Sequence, residues 1–141
     1  MSREIVLWFE IPSQLSVLDE LWTAVQAEIC QELRVDSATL IDFRLALVEA
    51  TSNAIVHGHG EDGRTLHVEV RAAPDKLEAA VHDSGPGFPF EPEPPLPANE
   101  AEAGRGLWMM EQLLDEIRYE REGGKNIMRL ALDPRIPRGH S

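Results

Sequence analysis

Five of the chain's ten prolines lie between Pro89 and Pro97, in the run PFEPEPPLPANEAEA that continues to Ala103. Proline lacks an amide N–H and fixes φ, so this stretch can be neither a regular helix nor a central strand. It is also long for a connection in a compact domain, and segments of that kind are usually functional lids or linkers. Any core must therefore be assembled from the segments on either side. A chain of 141 residues suits one domain with a single core. Its 43% hydrophobic and 27% charged residues fit a globular protein rather than a disordered one.

Before the proline run, Ile5 to Ile11 is a short, bulky, β-rich run closed by Pro12, which reads as a strand. Ser13 is placed to cap the next helix, in which Leu15, Leu18, Leu21, Trp22, Val25 and Ile29 recur at helical spacing to about Leu33. Cys30 closes that apolar pattern and is expected to be buried by packing. Asp36-Ser37 offers a second cap, and the helix that follows runs to the punctuation at Gly58 and Gly60. Arg64 to Ala72 and Leu77 to His82 flank a Pro74-Asp75 turn and predict a hairpin. After the proline run, Gly104-Arg105-Gly106 leads into a helix through Leu107, Met110, Leu113 and Leu114 to about Glu116. Ile117 to Arg121, a Gly123-Gly124 turn and Ile127 to Leu132 predict a final hairpin. The order β-α-α-β-β-loop-α-β-β predicts an α+β two-layer sandwich, with helices on one face of a mainly antiparallel sheet. One domain over 1–133, with a lid at 88–103 and a loose tail at 134–141, is the expected organisation.

Thirteen basic and twenty-five acidic residues give a formal net charge of −12, which argues against a nucleic-acid-wrapping surface. A polyanion would instead be held by local backbone amides, a helix N-terminus or a metal. The sequence has no apolar run of the ~20 residues needed to span a membrane, and MSREIVLWFEIPS lacks a signal-peptide layout. The single cysteine excludes an internal disulfide and fits a reducing cytoplasm.

Three stretches carry candidate chemistry. In LVEATSNAIVHGH, Glu49, Asn53 and His57 are spaced i, i+4, i+8, so a helix would bring them to one face, beside an apolar set that includes Phe43, Leu47 and Ile55. The plain alternative is an amphipathic helix with a chance polar stripe. DSGPGF begins at a strand end, where the acceptor-only Asp83 could receive an exocyclic amine such as adenine's. Gly85 and Gly87 would let the backbone approach a ligand, and the plain alternative is a turn. Gly104 and Gly106 at a helix start would expose N–H groups to phosphate, with Arg105 adding a contact; the alternative is a hinge. Asn53 is suited to Mg²⁺ through its carbonyl oxygen, and Glu49 to orienting or deprotonating a nucleophile. His57 reads as structural, and no histidine set has zinc spacing. A GxxxxGK[ST] loop, a strand-first GxGxxG and a GxSxG elbow are all missing from the sequence.

In this order, the three stretches resemble the boxes of the GHKL ATPase superfamily, the histidine-kinase-like ATP-binding fold of the Bergerat type. EATSNAIVHG is similar to its N box, DSGPG to its first glycine box and GRGL to its second. The VEATSNAIVHG run, the short proline- and acid-rich lid and GRGLWMMEQLLDEI are similar to the stand-alone anti-sigma-factor serine/threonine kinases. The resemblance covers about Leu7 to Leu132. It implies ATP and Mg²⁺, with Asn53 on the metal and Glu49 as the catalytic carboxylate. It places Asp83, Gly85 and Gly87 at the base, residues 88–103 as the ATP lid, and Gly104, Arg105, Gly106 and Leu107 at the phosphates. Family members often carry a Thr near the adenine in the last hairpin; Asn126 stands there in this chain, with an amide able to hydrogen-bond.

The implied activity is phosphorylation of a serine or threonine in an anti-anti-sigma (STAS-type) protein, together with inhibition of a sigma factor, by a cytoplasmic homodimer. No direct contact with nucleic acid or membrane is expected. The rival is a nucleotide-gated protein-binding module with little or no phosphotransfer. The sequence has no dimerisation helix hairpin bearing a phospho-accepting His, so a complete sensor histidine kinase is not expected.

Overall fold

The computed structural model describes residues 4–57, 64–85 and 102–136, with side chains for all of these except 57 and 102–105. The elements run β1 (Ile5–Pro12), a short 3₁₀ turn (Leu15–Val17), α1 (Leu18–Glu32), α2 (Ser37–His57), β2 (Thr65–Ala73), β3 (Lys76–Asp83), α3 (Glu102–Leu113), β4 (Glu116–Glu122) and β5 (Lys125–Leu132). The strands form one antiparallel sheet in the order β1-β2-β3-β5-β4. With the helices on one face, this is the α+β two-layer arrangement expected from the element order.

Strand alternation decides which face is covered. Leu66, Val68, Val70 and Ala72 of β2, Leu77, Ala79 and Val81 of β3, and Met128, Leu130 and Leu132 of β5 point to one side and are buried. Against them pack Leu21, Trp22, Val25 and Ile29 of α1, Phe43, Ala46, Leu47, Ala50, Ala54 and Ile55 of α2, and Leu107 and Met110 of α3. The rings of Trp22 and Phe43 meet edge-on, 6.3 Å apart, at the α1–α2 contact. The other face of the sheet carries exposed Val6 and Trp8 on β1 and is otherwise largely polar, laced with ion pairs such as Arg129–Glu120 (2.6 Å) and Lys76–Glu78 (3.2 Å). Those pairs are exposed, so each is worth at most about 1 kcal/mol; burial on the helix face dominates the stability.

Cys30 is exposed rather than buried. It follows Ile29 by one position, and on α1 that single step leaves the buried stripe of Leu21, Val25 and Ile29. Ser13 does not cap a helix: the residue before α1 is Val17, with no side-chain cap, while the Ser13 amide donates to the carbonyl of Arg64 (2.9 Å) and joins the end of β1 to the start of β2. The third helix begins at Glu102, two residues before Gly104, and ends at Leu113 rather than near Glu116. Gly123 and Gly124 form the β4–β5 turn, both with positive φ (59° and 79°), the geometry of a two-residue hairpin loop. Gly58, Gly60, Gly87, residues 88–101 of the expected lid and residues 137–141 lie outside the described residues.

Candidate functional site

Two clusters form on the helix-covered face. The first is on α2. Its mid-section buries Leu47, Ala50 and Ala54 against the sheet, and this holds Glu49 and Asn53, one turn apart, on the flank toward α3. Glu49 lies directly beneath Gly106: a Cβ added there would clash with Glu49 Oε1 and lie 2.6 Å from its Cδ and 3.2 Å from its Cγ. Hydrogen in place of a side chain is what allows α3 to lie against a carboxylate at this point. Burial pushes the Glu49 carboxyl above its usual pKa of 4.5, since the charged form loses solvation. Such a carboxylate holds a proton more readily than a free one, which suits proton transfer.

Asn53 is 7% exposed, and its Nδ2 is buried with no hydrogen-bond partner among the described residues. A buried amide nitrogen without a partner costs roughly 1–3 kcal/mol, so native proteins seldom keep one without a use. Rotating the amide exchanges Nδ2 and Oδ1, so the same position can present a donor to a phosphate oxygen or an acceptor to a cation. The residues present therefore fit a Mg²⁺–phosphate group.

The second cluster lies at the ends of β3 and β5, where Asp83 and Asn126 stand opposite each other in the ladder. Asn126 donates from Nδ2 to Asp83 Oδ1 (2.8 Å) and to the Gly85 carbonyl (2.9 Å). The Gly85 amide also donates to Asp83 Oδ1 (2.9 Å). Asn126 Oδ1 accepts from Arg121 Nε on β4 (3.0 Å). Gly85 therefore contributes both of its main-chain groups to this knot.

Most of the sequence-predicted residues fall into these two clusters. Glu49, Asn53 and Gly106 are brought together, as are Asp83, Gly85 and Asn126. Gly104 and Arg105 sit in the first turn of α3, where Gly104 is among the opening residues whose N–H groups have no intrahelical partners. Gly106 lies just beyond that turn and contributes by its lack of a side chain. Leu107 is buried in the core and anchors the helix. The side chain of His57 and the whole of Gly87 are outside the described residues. Arg121 was missed by sequence reasoning. Counting the register outward from the two-residue Gly-Gly turn would have placed it opposite Asn126.

A cavity of about 590 Å³ also reaches Asp83, from the open face of the sheet, between Trp8, His67, His82 and Lys125. Trp8 and His82 lie 6.0 Å apart there, and burial followed by the nearby Arg129 charge lowers the pKa of His82. Asp83 is the one residue of the two clusters that lines it. Among the described residues, no group of three or more His, Cys, Asp or Glu is placed to hold a metal ion. None of the described helices is long and apolar enough to cross a membrane.

The architecture has counterparts in known proteins. Residues 11–132 match the family model described as histidine kinase-like ATPase domain. Serine-protein kinase RsbW of Bacillus subtilis (strain 168) is 33% identical over 97 residues, 61% of this chain and 60% of that protein. The RsbW of Staphylococcus aureus (strain MW2) is 29% identical over 97 residues, 61% of each. These alignments span less than two thirds of the relatives' length. Among solved structures, the RsbU and RsbW domains of Rv1364c from Mycobacterium tuberculosis superpose with a TM-score of 0.65 at 19% identity, over 91% of this chain and 31% of that one. The catalytic domain of histidine kinase ThkA gives a TM-score of 0.53 at 16% identity, over 91% of this chain and 96% of that one. The structural likenesses carry the fold, and the family match extends from the end of β1 to the end of β5: the chain belongs to the histidine kinase-like ATPase family.

Proposed function

We propose that this protein is a Mg-ATP-dependent serine/threonine-protein kinase that phosphorylates an anti-anti-sigma (STAS-type) protein and, as an anti-sigma factor, inhibits a sigma factor. The observation that carries the catalytic part is the pairing on α2. A half-buried Glu49, with its pKa raised by burial, lies against Gly106, one turn from a buried Asn53 amide nitrogen that has no partner among the described residues. The serine-protein kinase relatives, at 33% and 29% identity, support the choice of phosphoryl acceptor.

In this reading Asn53 would hold Mg²⁺, which when bound neutralises phosphate charge. The first turn of α3, with Gly104 and Arg105, would face the phosphates. Asp83 would accept the adenine amine, and residues 88–103 would form the lid over the nucleotide. Glu49 would orient the acceptor hydroxyl and take up its proton as the phosphoryl group leaves ATP. Exposed Val6 and Trp8 on the edge strand β1 support a homodimer. The cytoplasmic setting belongs to the same reading, as does the absence of direct contact with nucleic acid or membrane.

Incubation with labelled ATP and candidate anti-anti-sigma proteins tests it. Label should pass to one serine or threonine of the partner. Glu49→Ala should slow transfer by about 10²–10⁴-fold while sparing ATP binding. An unchanged rate in that variant sinks the role of Glu49. Tight ADP binding with no labelled partner would instead favour a nucleotide-gated binding module, and absence of ADP binding would overturn both readings.

A further inference from the structure

Asn126 has no amide proton left for a ligand. It is 1% exposed, both of its amide protons are engaged, by Asp83 Oδ1 and the Gly85 carbonyl, and its oxygen accepts from Arg121. The sequence expectation that its amide meets the base is replaced by a different role. Asp83 Oδ1 receives two donors, from Asn126 and from the Gly85 amide, while its Oδ2 has no hydrogen bond among the described residues. Two donors on one oxygen fix the carboxylate plane and leave the other oxygen as an acceptor with a defined direction. Three strands meet at this point, because Asn126 is in register with Asp83 on one side and Arg121 on the other.

We propose that Asn126, held by Arg121, is a positioning residue that aims Asp83 Oδ2 and thereby sets the preference of the site for a purine with an exocyclic amine at C6 over one with a carbonyl there. A fixed carboxylate oxygen accepts from the amine of adenine and repels the carbonyl of guanine. A carboxylate free to turn aside relieves that repulsion, so loss of the strut weakens the right base and tolerates the wrong one. Arg121 acts through Asn126. Its guanidinium on Oδ1 fixes which edge of the amide faces Asp83, since a flipped amide would present oxygen to oxygen.

The proposal rests on the nucleotide-binding reading above, and the experiment separates the two. ADP and GDP affinities are measured by calorimetry with Mg²⁺ for the wild type, Asn126→Ala and Arg121→Met. Phosphotransfer is measured at saturating and at low ATP. The wild type should prefer ADP. Asn126→Ala should weaken ADP binding about tenfold and GDP binding less, narrowing their ratio, with KM for ATP raised and kcat little changed. Arg121→Met, a substitution at an exposed hairpin position, should shift the ratio the same way by a smaller factor and keeps the test decisive if Asn126→Ala does not fold. A wild type that binds ADP, with a folded variant whose ADP/GDP ratio is unaltered, overturns the positioning role alone. A wild type that binds neither nucleotide overturns the nucleotide reading and this inference with it. A fall in kcat with KM unchanged would place Asn126 in the transfer step and refute the assignment.

Discussion

Gly106→Ala is the sharpest probe of the α2–α3 junction. The added methyl would clash with Glu49 Oε1 and lie 2.6 Å from Cδ, well inside van der Waals contact. The obstructing atoms are the far end of a flexible side chain, so Glu49 should swing aside and the helices should stay packed. Turning a side chain about 30° off its rotamer costs roughly 0.5–1.5 kcal/mol. Replacing glycine by alanine inside a helix returns about 1 kcal/mol of helix propensity. The two nearly cancel, so chemical unfolding should give a stability within about 1 kcal/mol of wild type. Activity should behave otherwise. A displacement of about 1 Å can cost about 10²-fold in rate, and complete loss of a general base costs about 10²–10⁴-fold. The expected result is a fall in phosphotransfer of about 10²-fold at nearly constant stability. ADP affinity should change little, because Gly106 lies beyond the first turn of α3. In the Glu49→Ala background, Gly106→Ala should then cost almost nothing more, since the group it displaces is gone. Full activity in a folded Gly106→Ala protein would refute the claim that this position of Glu49 is the working one. A loss of several kcal/mol would show that Glu49 cannot yield.

Two further outcomes follow from the same helix. Removing the unpartnered amide by Asn53→Ala should leave the ligand-free protein as stable as wild type, or more stable by up to about 1–3 kcal/mol, while abolishing the thermal shift that Mg·ADP produces; a strongly destabilised variant that keeps the shift would contradict both halves. Burial raises the Glu49 pKa above 4.5, so its contribution to stability is full below that value and is lost as pH rises through the raised folded-state pKa. Glu49→Gln lacks that loss, so the stability of wild type relative to Glu49→Gln should decline with pH across that window and then level off, as read from urea unfolding at a series of pH values; a rising difference would mean the carboxylate is stabilised, not penalised, by its surroundings.

The fold was legible because the apolar period is plain in most elements. β2 alternates through Leu66, Val68 and Val70, and α1 repeats through Leu21, Val25 and Ile29, so each could be placed and given a buried side. α2 is harder: Ile41, Leu45 and Val56 are exposed while Phe43, Leu47 and Ile55 are buried, so its sequence is apolar almost all round and does not by itself say which side faces the sheet. The site was legible to the extent that its residues are local. Glu49 and Asn53 share one helix, and Asp83 and Gly85 share one turn. The Asn126 knot was not, because it depends on β5 lying beside β3 and on a register set by the Gly123-Gly124 turn. Alternation with Met128, Leu130 and Leu132 puts Asn126 on the covered face, but nothing local to it says what its amide meets there. The start of α3 was misplaced for a related reason: glycines that look like a helix boundary in sequence are inside the helix, because Glu49 needs the space that Gly106 leaves.

The strand order also has a consequence in time. β5 is the last of the described strands to leave the ribosome, yet it lies between β3 and β4. Until it arrives, β3 has an open edge bearing Leu77, Ala79 and Val81, and Asp83 lacks the residue that holds its carboxylate. A nascent chain can build the β1-β2-β3 meander and both long helices early, but it completes the hydrogen-bonded cluster around Asp83 only after Asn126 has been synthesised. The unpaired edge of β3 is during that interval the segment most open to capture by another chain.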